Sequence, residues 1–347
     1  MNLEKIKRIA VVRNNHIGDL VCTLPAFEAL RQGLPHARIT AIVNPISAPI
    51  LNNHPHVDDV KFDDELDPVD QLAGILRQGR FDAVLVLWCS RRNAYAAFKA
   101  RVPIRVTHGR RWVQALCGTH RCYLSRKKPP YHESAFILSF VQRLGIPFTL
   151  EQARPYLYVD PAQRAKIEER ITRQIGADGP LFAVHPGSRK SAYNWPVENY
   201  FELTQRLAAV GRVIVTGAQP DHVELDYFES RLTPALRQRV MLIADLDLPQ
   251  LVAELSLVDA FVSSSTGPLH IAAVVSRNAV GLYSDAFYQH PRRWGPIGPA
   301  GNVLISPWKF SEPPLIRSPL ASEHMAQITV EQVFDRMLNP PARAQAA

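Results

Sequence analysis

The chain has 347 residues, of which 46% are hydrophobic and 21% charged, and its formal net charge is +8. This length favours two domains over one, and the composition excludes wholesale disorder and low-complexity architectures. No apolar run approaches the roughly 18 residues that cross a bilayer, and the start MNLEKIKRIAVVRNN contains no signal-peptide core, so we expect a cytoplasmic protein.

The first half of the chain alternates apolar runs with helical patterns. Arg8–Arg13, Arg38–Val43 and residues 82–88 are predicted strands, and residues 20–32 form an amphipathic helix between the first two. This β-α-β alternation predicts a mainly parallel sheet. The acidic stretch at residues 58–70 is interpreted as a solvated loop and the start of a helix.

The four cysteines indicate reduced thiols. Cys22, Cys89, Cys117 and Cys122 contain no CxxC pair and are too scattered for a disulfide framework. Cys117 and Cys122, with His120 between them, could join a metal site, but zinc sites need a tighter and more complete ligand set. We therefore predict neither a metal nor a cofactor.

Positive charge is concentrated in residues 91–128, which contain eleven Lys or Arg residues and no Asp or Glu. Such a segment can hold a polyanion: nucleic acid, an anionic membrane face, or a substrate that carries phosphates and carboxylates. From charge alone, a solvated basic face that serves only solubility is an equal alternative.

The regular alternation breaks near residues 151–177, where a Pro-flanked extended piece, a charged helix at 161–174 and the turn GADGP predict a domain boundary. The second half then repeats the strand and helix scheme. Predicted strands lie at 181–185, 212–216, 240–243, 260–263 and 279–283, and predicted helices at 197–210, 221–232, 249–256 and 267–276.

A last helix at 330–338 opens with Thr329 and Gln332 at capping-box spacing. We expect an N-terminal domain at residues 1–160, a linker helix region at 161–177 and a C-terminal domain at 178–326. The C-terminal helix and tail at 327–347 are expected to pack back toward the N-terminal domain.

Ligands of open α/β sheets bind beyond the carboxyl ends of the strands, and three loops in such positions are unusual. The first, NNHIGDL, follows Arg8–Arg13. Gly18 allows close approach of a ligand to the backbone, and Asp19 could accept a proton. The alternative is that Asp19 serves only as the N-cap of the following helix.

The second loop, HPGSRKSAYNWP, begins at His185. Gly187 and Ser188 offer backbone N–H groups, and Arg189 and Lys190 add positive charge to the same turn, which suits a diphosphate. An ordinary surface loop that ends where Pro196 starts the next helix is an equal alternative.

The third loop, SSSTGPLHIAA, spans residues 263–273. Thr266 is a good N-cap and Pro268 falls in the first helical turn. The unpaired N–H groups of that turn and the helix dipole make an anion site. His270, one turn further, is either a ligand contact or a buried structural residue.

Taken in this order, the loops resemble glycosyltransferase family 9, the bacterial lipopolysaccharide heptosyltransferases. The matching segments are residues 8–43, 185–203, 215–225, 259–285 and 291–296. The resemblance implies an α/β fold of the GT-B type, with two Rossmann-like, doubly wound domains that face each other across a cleft. The N-terminal domain would bind the acceptor and the C-terminal domain a nucleotide sugar.

The resemblance also implies the reaction. The enzyme would be inverting and metal-independent, moving heptose from ADP-heptose to the lipopolysaccharide inner core, with Asp19 as general base. The matching donor-binding positions are Ser188, Arg189, Lys190, Asp221, Glu224, Ser265, Thr266, Gly267 and His270, of which Asp221 or Glu224 would contact the nucleoside.

The basic segment would bind the acceptor's carboxylates and phosphates through Arg91, Arg92, Arg110 and Arg111, since Arg suits both groups. No nucleic acid partner is expected. Because the acceptor is a lipid, the resemblance implies peripheral association with the inner face of the inner membrane.

Two positions depart from the family pattern. Ser265 stands where many members have Asp before the TG pair, and Tyr193 where they have Lys before the WP pair. Arg189 or Lys190 would then supply the missing positive charge. Two alternatives stay open: the same fold with another nucleotide sugar, and a catalytically silent protein that binds nucleotide or polyanion.

Overall fold

The computed structural model describes residues 2–124, 132–188, 192–307, 315–316 and 318–341. Arg189 and Lys190, and with them their predicted role, lie outside these residues. The chain divides into two compact units, Met1–Tyr158 and Val159–Ala347. Each unit contains one six-stranded parallel sheet with helices.

The first unit alternates strands and helices along the chain. Its elements are β1 (Arg8–Arg13), α1 (Ile17–Val21), α2 (Leu24–Gly33), β2 (Arg38–Val43), β3 (Asp59–Phe62), α3 (Val69–Gly79), β4 (Ala83–Val86), α4 (Arg91–Lys99), β5 (Ile104–His108), α5 (Trp112–Cys117), β6 (His120–Cys122) and α6 (Glu133–Gln142). The strand order is β3-β2-β1-β4-β5-β6. The chain order therefore reverses between β1 and β4, which is where doubly wound sheets bind ligands.

The second unit has the same organisation. Its elements are α7 (Pro161–Ile175), β7 (Leu181–His185), α8 (Val197–Ala208), β8 (Arg212–Gly217), α9 (His222–Glu229), β9 (Val240–Ala244), α10 (Leu248–Leu255), β10 (Ala260–Ser264), α11 (Gly267–Val275), β11 (Ala279–Tyr283), α12 (Pro291–Trp294), β12 (Gly301–Ile305), α13 (Pro319–Ala326) and α14 (Val330–Leu338). The strand order β12-β11-β10-β7-β8-β9 reverses between β7 and β10. The predicted parallel α/β architecture is confirmed in both units.

Central strands are mostly apolar because helices cover both faces of a parallel sheet. In β1 the four residues from Ile9 to Val12 are fully buried, and β10 and β11 are buried throughout. This is why the predicted bounds of β1, β2, β7 and β11 agree with the structure.

The helix predicted at residues 20–32 is wrong in its extent, because this segment forms two helices, α1 and α2. The break falls at Cys22 and Thr23, and Pro25 is the second residue of α2. Proline has no N–H to donate to the carbonyl one turn earlier, so α1 cannot continue through it.

The interpretation of residues 58–70 as a solvated loop is also wrong in part. Asp59–Phe62 forms the edge strand β3, and Asp63 is fully buried. The helix start predicted in this segment corresponds to α3, which begins at Val69.

The capping box at the last helix is confirmed: Gln332 N donates to Thr329 Oγ1 at 3.2 Å, and Thr329 N donates to Gln332 Oε1 at 2.9 Å. This helix, α14, packs against α8, β10 and β11 of the second unit. Its expected packing toward the N-terminal domain stays a prediction. None of the helices in the described ranges combines the length and hydrophobicity of a membrane span.

Candidate active site

Asp19 lies at the carboxyl end of β1, at the point where the strand order of the first unit reverses. Arg13, the last residue of β1, donates from Nη2 to Asp19 Oδ1. The Arg13 side chain is fully buried, whereas 14% of the Asp19 side chain is exposed. The carboxylate is therefore held from inside the protein and still reaches the surface.

Arg13 is itself fixed by further contacts. Nη2 lies 3.3 Å from Glu133 Oε1 at the start of α6, and Nη1 donates to the Leu87 carbonyl at 3.2 Å. Burial acts to lower the pKa of the Arg13 guanidinium, but the carboxylates of Asp19 and Glu133 outweigh it, and the pKa is raised. Arg13 is thus a permanent cation beneath Asp19.

The N-cap interpretation of Asp19 is wrong. Helix α1 begins at Ile17 with His16 as its N-cap, so Asp19 is the third helical residue. Its Oδ2 accepts no hydrogen bond from any residue within the described ranges. One carboxylate oxygen is anchored by Arg13, and the other is available to accept a proton.

Arg92, a predicted acceptor-binding residue, is engaged inside the first unit. Nη1 and Nη2 donate to the two carboxylate oxygens of buried Asp63 at 2.8 Å, and Nε donates to the Asp67 carbonyl at 2.6 Å. Nη1 also donates to Asn93 and Nη2 to the Pro68 carbonyl. These contacts favour a structural role for Arg92, because they use the donors that an acceptor would need.

The other three predicted acceptor-binding arginines are solvent-exposed. Arg91 is the first residue of α4, and Arg110 and Arg111 lie between β5 and α5. Arg91 follows β4, and Arg110 and Arg111 follow β5. All three therefore lie at the carboxyl ends of the strands, as Asp19 does.

In the second unit, Gly187 lies in the loop after β7, close to the side chain of Asp221. A Cβ at this position would lie 2.1 Å from Asp221 Oδ1, so only glycine leaves room for the Asp221 carboxylate. The backbone N–H of Ala218 donates to the other Asp221 oxygen at 3.1 Å, and Asn194 Nδ2 donates to the Pro186 carbonyl at 2.6 Å. Asp221, in the loop after β8, therefore packs closely against Gly187 in the loop after β7.

The start of α11 follows β10, the strand that neighbours β7. Thr266 is the N-cap, yet its side chain makes no capping hydrogen bond, because Oγ1 contacts Ser263 Oγ at 3.0 Å. Ser265 and Gly267 are partly exposed, and His270 is buried. The first-turn N–H groups near Gly267 therefore have no side-chain cap and can donate to an anion.

A buried hydrogen-bond network connects the two loops, and sequence reasoning missed it. Ser264 Oγ accepts from the Trp195 backbone N–H at 3.2 Å, and Ser264 N donates to Tyr200 Oη at 2.9 Å. The Trp195 indole in turn donates to the Ile328 carbonyl at 2.8 Å. The WP pair of the sequence motif is thus a structural anchor of the loop.

Tyr193, at the position of the family lysine, belongs to the core of the second unit. It is almost fully buried, its ring packs edge-on against His324, and its backbone N–H donates to Gln289 Oε1 at 2.7 Å. Burial raises the pKa of its phenol.

Glu224 lines a surface cavity of about 330 Å³ among α8, α9 and α13. Its wall includes Asn194, Trp195 and Tyr227. Of the two candidates for the nucleoside contact, Asp221 touches the loop after β7, and Glu224 lies in this cavity.

Within the described ranges, no group of three or more His, Cys, Asp or Glu residues could hold a metal ion. None of the four cysteines, all of which lie in the described residues, forms a disulfide.

Comparison with known proteins gives the family. The model of glycosyltransferase family 9 (heptosyltransferase) matches residues 69–313. The chain belongs to glycosyltransferase family 9. It is a glycosyltransferase, as the sequence motifs predict, and the catalytically silent alternative is not retained.

Relatives of this glycosyltransferase include a lipooligosaccharide heptosyltransferase 2 of Haemophilus influenzae, 25% identical over 81% of this chain and 84% of the relative. Lipopolysaccharide heptosyltransferase 2 of Escherichia coli is 23% identical over 80% and 83%. The solved structure of E. coli ADP-heptose lps heptosyltransferase II is 20% identical, with a TM-score of 0.77 over 96% of this chain and 97% of that one. The shared fold confirms the predicted GT-B class.

Proposed function

We propose that this glycosyltransferase moves heptose from ADP-heptose to the lipopolysaccharide inner core by an inverting, metal-independent reaction. The observation that carries the proposal is Asp19, a carboxylate held through Oδ1 by a buried arginine, with Oδ2 available at the sheet edge. The names of the relatives support the donor and the acceptor class.

In the proposed reaction, the acceptor hydroxyl attacks the anomeric carbon of the donor sugar. The new carbon–oxygen bond forms on the face opposite the leaving diphosphate, whose bond to the same carbon breaks. The hydroxyl proton passes to Asp19 Oδ2. Arg13 holds Oδ1 and so leaves Oδ2 as the oxygen that takes the proton.

The leaving nucleotide diphosphate must have its developing charge stabilised. In the proposal, the N–H groups near Gly267 and the Thr266 hydroxyl contact the diphosphate, with the dipole of α11 adding to their effect. Ser188 and its loop are a second set of donors. Asp221, which packs against Gly187 of this loop, contacts the nucleoside.

The acceptor is anionic, and Arg91, Arg110 and Arg111 are the exposed cations at the edge of the sheet that carries Asp19. We assign the acceptor's phosphates and carboxylates to them. A lipid acceptor also requires peripheral association with the inner face of the inner membrane.

The proposal is tested by offering ADP-heptose, UDP-sugars and GDP-sugars with an inner-core acceptor and identifying products by mass spectrometry. We expect a heptose-sized mass increase from ADP-heptose alone, an inverted anomeric configuration by NMR, and an unchanged rate in EDTA. Transfer from a UDP- or GDP-sugar instead would contradict the proposed donor, and loss of activity in EDTA would contradict metal independence.

A further inference from the structure

Helix α5 carries two large apolar side chains that the first unit does not bury. Trp112 and Leu116 lie four residues apart, on the same side of the helix, and are 71% and 69% exposed. The helix that carries them is nevertheless anchored to the rest of the unit by hydrogen bonds. Gln114, on the opposite side, is buried and donates to the Cys89 carbonyl at 3.2 Å, and its own carbonyl accepts from Thr107 Oγ1 at 2.7 Å.

Arginines and a tyrosine surround this apolar pair. Arg110 and Arg111 directly precede Trp112 and are exposed. Arg121 Nε donates to the Ala115 carbonyl at 2.8 Å, which holds its side chain against α5. Tyr123 packs over Gly109 and is 57% exposed. We call Arg110, Arg111, Trp112, Leu116, Arg121 and Tyr123 the α5 face.

The charge of the α5 face is of one sign. No Asp or Glu occurs in the sequence between residues 91 and 128, so no neighbouring carboxylate of this segment neutralises it. An aromatic and aliphatic centre with an arginine rim matches a lipid headgroup region, where Trp and Tyr rings sit at the boundary and Arg contacts anionic headgroups.

We propose that the α5 face is a docking surface for a bilayer that contains anionic phospholipids. Trp112 and Leu116 insert among the headgroups, and the arginines contact lipid phosphates. The choice of a bilayer over a protein partner rests in part on the proposed function, because that acceptor is a lipid. It rests independently on the charge complementarity of the face.

The topology relates this face to Asp19. Helix α5 follows β5, Asp19 follows β1, and only β4 lies between these strands. At a strand spacing of about 4.8 Å, the two carboxyl ends are about 10 Å apart along the sheet edge. A lipid held at the α5 face would therefore present its first sugars within reach of the same edge.

The test is flotation of the full chain with vesicles of equimolar phosphatidylcholine and phosphatidylglycerol, and with vesicles of phosphatidylcholine alone. We expect binding to the anionic vesicles and much weaker binding to the neutral ones. Replacing Trp112→Glu and Leu116→Glu together should lower affinity for the anionic vesicles at least about tenfold, because both side chains lose their apolar contact.

Leu66→Glu is the matched control, because Leu66 is 90% exposed in the same unit and lies outside the α5 face. It should bind as wild type does. Arg110→Gln with Arg111→Gln should weaken binding by about tenfold, whereas Arg77→Gln with Arg80→Gln, at the exposed end of α3, should not. Melting temperatures check that each variant is folded.

The inference is overturned if wild type binds neutral and anionic vesicles equally, binds neither, or binds no better than the Trp112 and Leu116 double variant. Transfer to a soluble, delipidated core acceptor, measured on wild type, separates the two proposals. Vesicle binding without transfer would contradict the proposed function alone, and transfer without vesicle binding would contradict the docking surface alone.

Discussion

Arg13 and Glu133 are 120 positions apart in the sequence, yet Arg13 Nη2 lies 3.3 Å from Glu133 Oε1, and both side chains are buried. The same Nη2 donates to Asp19. One nitrogen of the Arg13 guanidinium therefore contacts both the proposed base, Asp19, and the buried carboxylate of Glu133. Glu133 keeps Arg13 in place, and Arg13 orients Asp19.

Arg13→Lys tests this positioning role. A lysine ammonium keeps the positive charge but is a single point that cannot reproduce the planar fork. We expect kcat to fall on the order of 10- to 100-fold because Asp19 loses its alignment, while KM for the donor stays near the wild-type value. Steady-state kinetics with both substrates measure the two effects separately.

Arg31→Lys is the control for this experiment, since Arg31 forms an ion pair with Asp58 in the same unit, at a partly exposed position. It should leave kcat unchanged. An Arg13→Lys variant with wild-type kcat, or one in which only the donor KM rises, would show that Arg13 does not position the base.

Gly187→Ala tests the close contact between the loop after β7 and Asp221. The added Cβ would lie 2.1 Å from Asp221 Oδ1, so either the loop or the carboxylate must move. We expect donor affinity, measured by calorimetry with ADP, to fall at least about tenfold. Gly74→Ala is the control, because a Cβ there meets nothing within 4 Å, and it should leave ADP affinity unchanged. Equal ADP affinity in both variants would contradict the contact's role.

Glu254 predicts a pH dependence of stability. It is fully buried on α10, and burial raises its pKa from 4.5 to about 8, although the Thr216 hydroxyl and the charge of Arg170 act in the opposite direction. Between these pH values the folded chain holds a proton that the unfolded chain releases. The free energy of unfolding should therefore fall as pH rises through this window, by about 1.4 kcal/mol per pH unit.

Glu254→Gln removes the titrating group and should flatten this decline, so that the variant is more stable than wild type at pH 8. Chemical unfolding at several pH values measures the free energy of unfolding of both proteins and hence the two slopes. Glu168→Gln, at an exposed position on α7, should retain the wild-type slope. An unchanged slope in Glu254→Gln would mean that another group causes the dependence.

The strands that the sequence predicts well are the central ones. The patterns RIAVVR, RITAIV and LFAVH are mostly apolar because both faces of the sheet are covered. The strands β5 and β6, IRVTH and HRC, were not predicted. They lie towards one edge of the sheet, where partial exposure admits Arg and His and weakens the apolar signal.

The loops of the candidate site were also predictable, since a glycine or a capping residue after a buried strand is a local signal. The buried contact between Arg13 and Glu133 was not predictable, because a partner 120 residues away in the chain leaves no local sequence pattern. Asp63 was misread for the same reason. In a run of carboxylates it resembles a solvated residue, and its hydrogen bonds from Arg92 and Asn14 explain why it is buried.

The most direct test of the central claim is the rate of heptose transfer from ADP-heptose by Asp19→Asn. The amide oxygen can still accept from Arg13, so the fold and ADP binding should be retained, whereas the proton acceptor is lost. Asp70→Asn, at an exposed position on α3, should transfer at the wild-type rate. We predict a loss of at least about 100-fold in kcat for Asp19→Asn; a folded Asp19→Asn variant that transfers heptose at near wild-type rate would contradict the account.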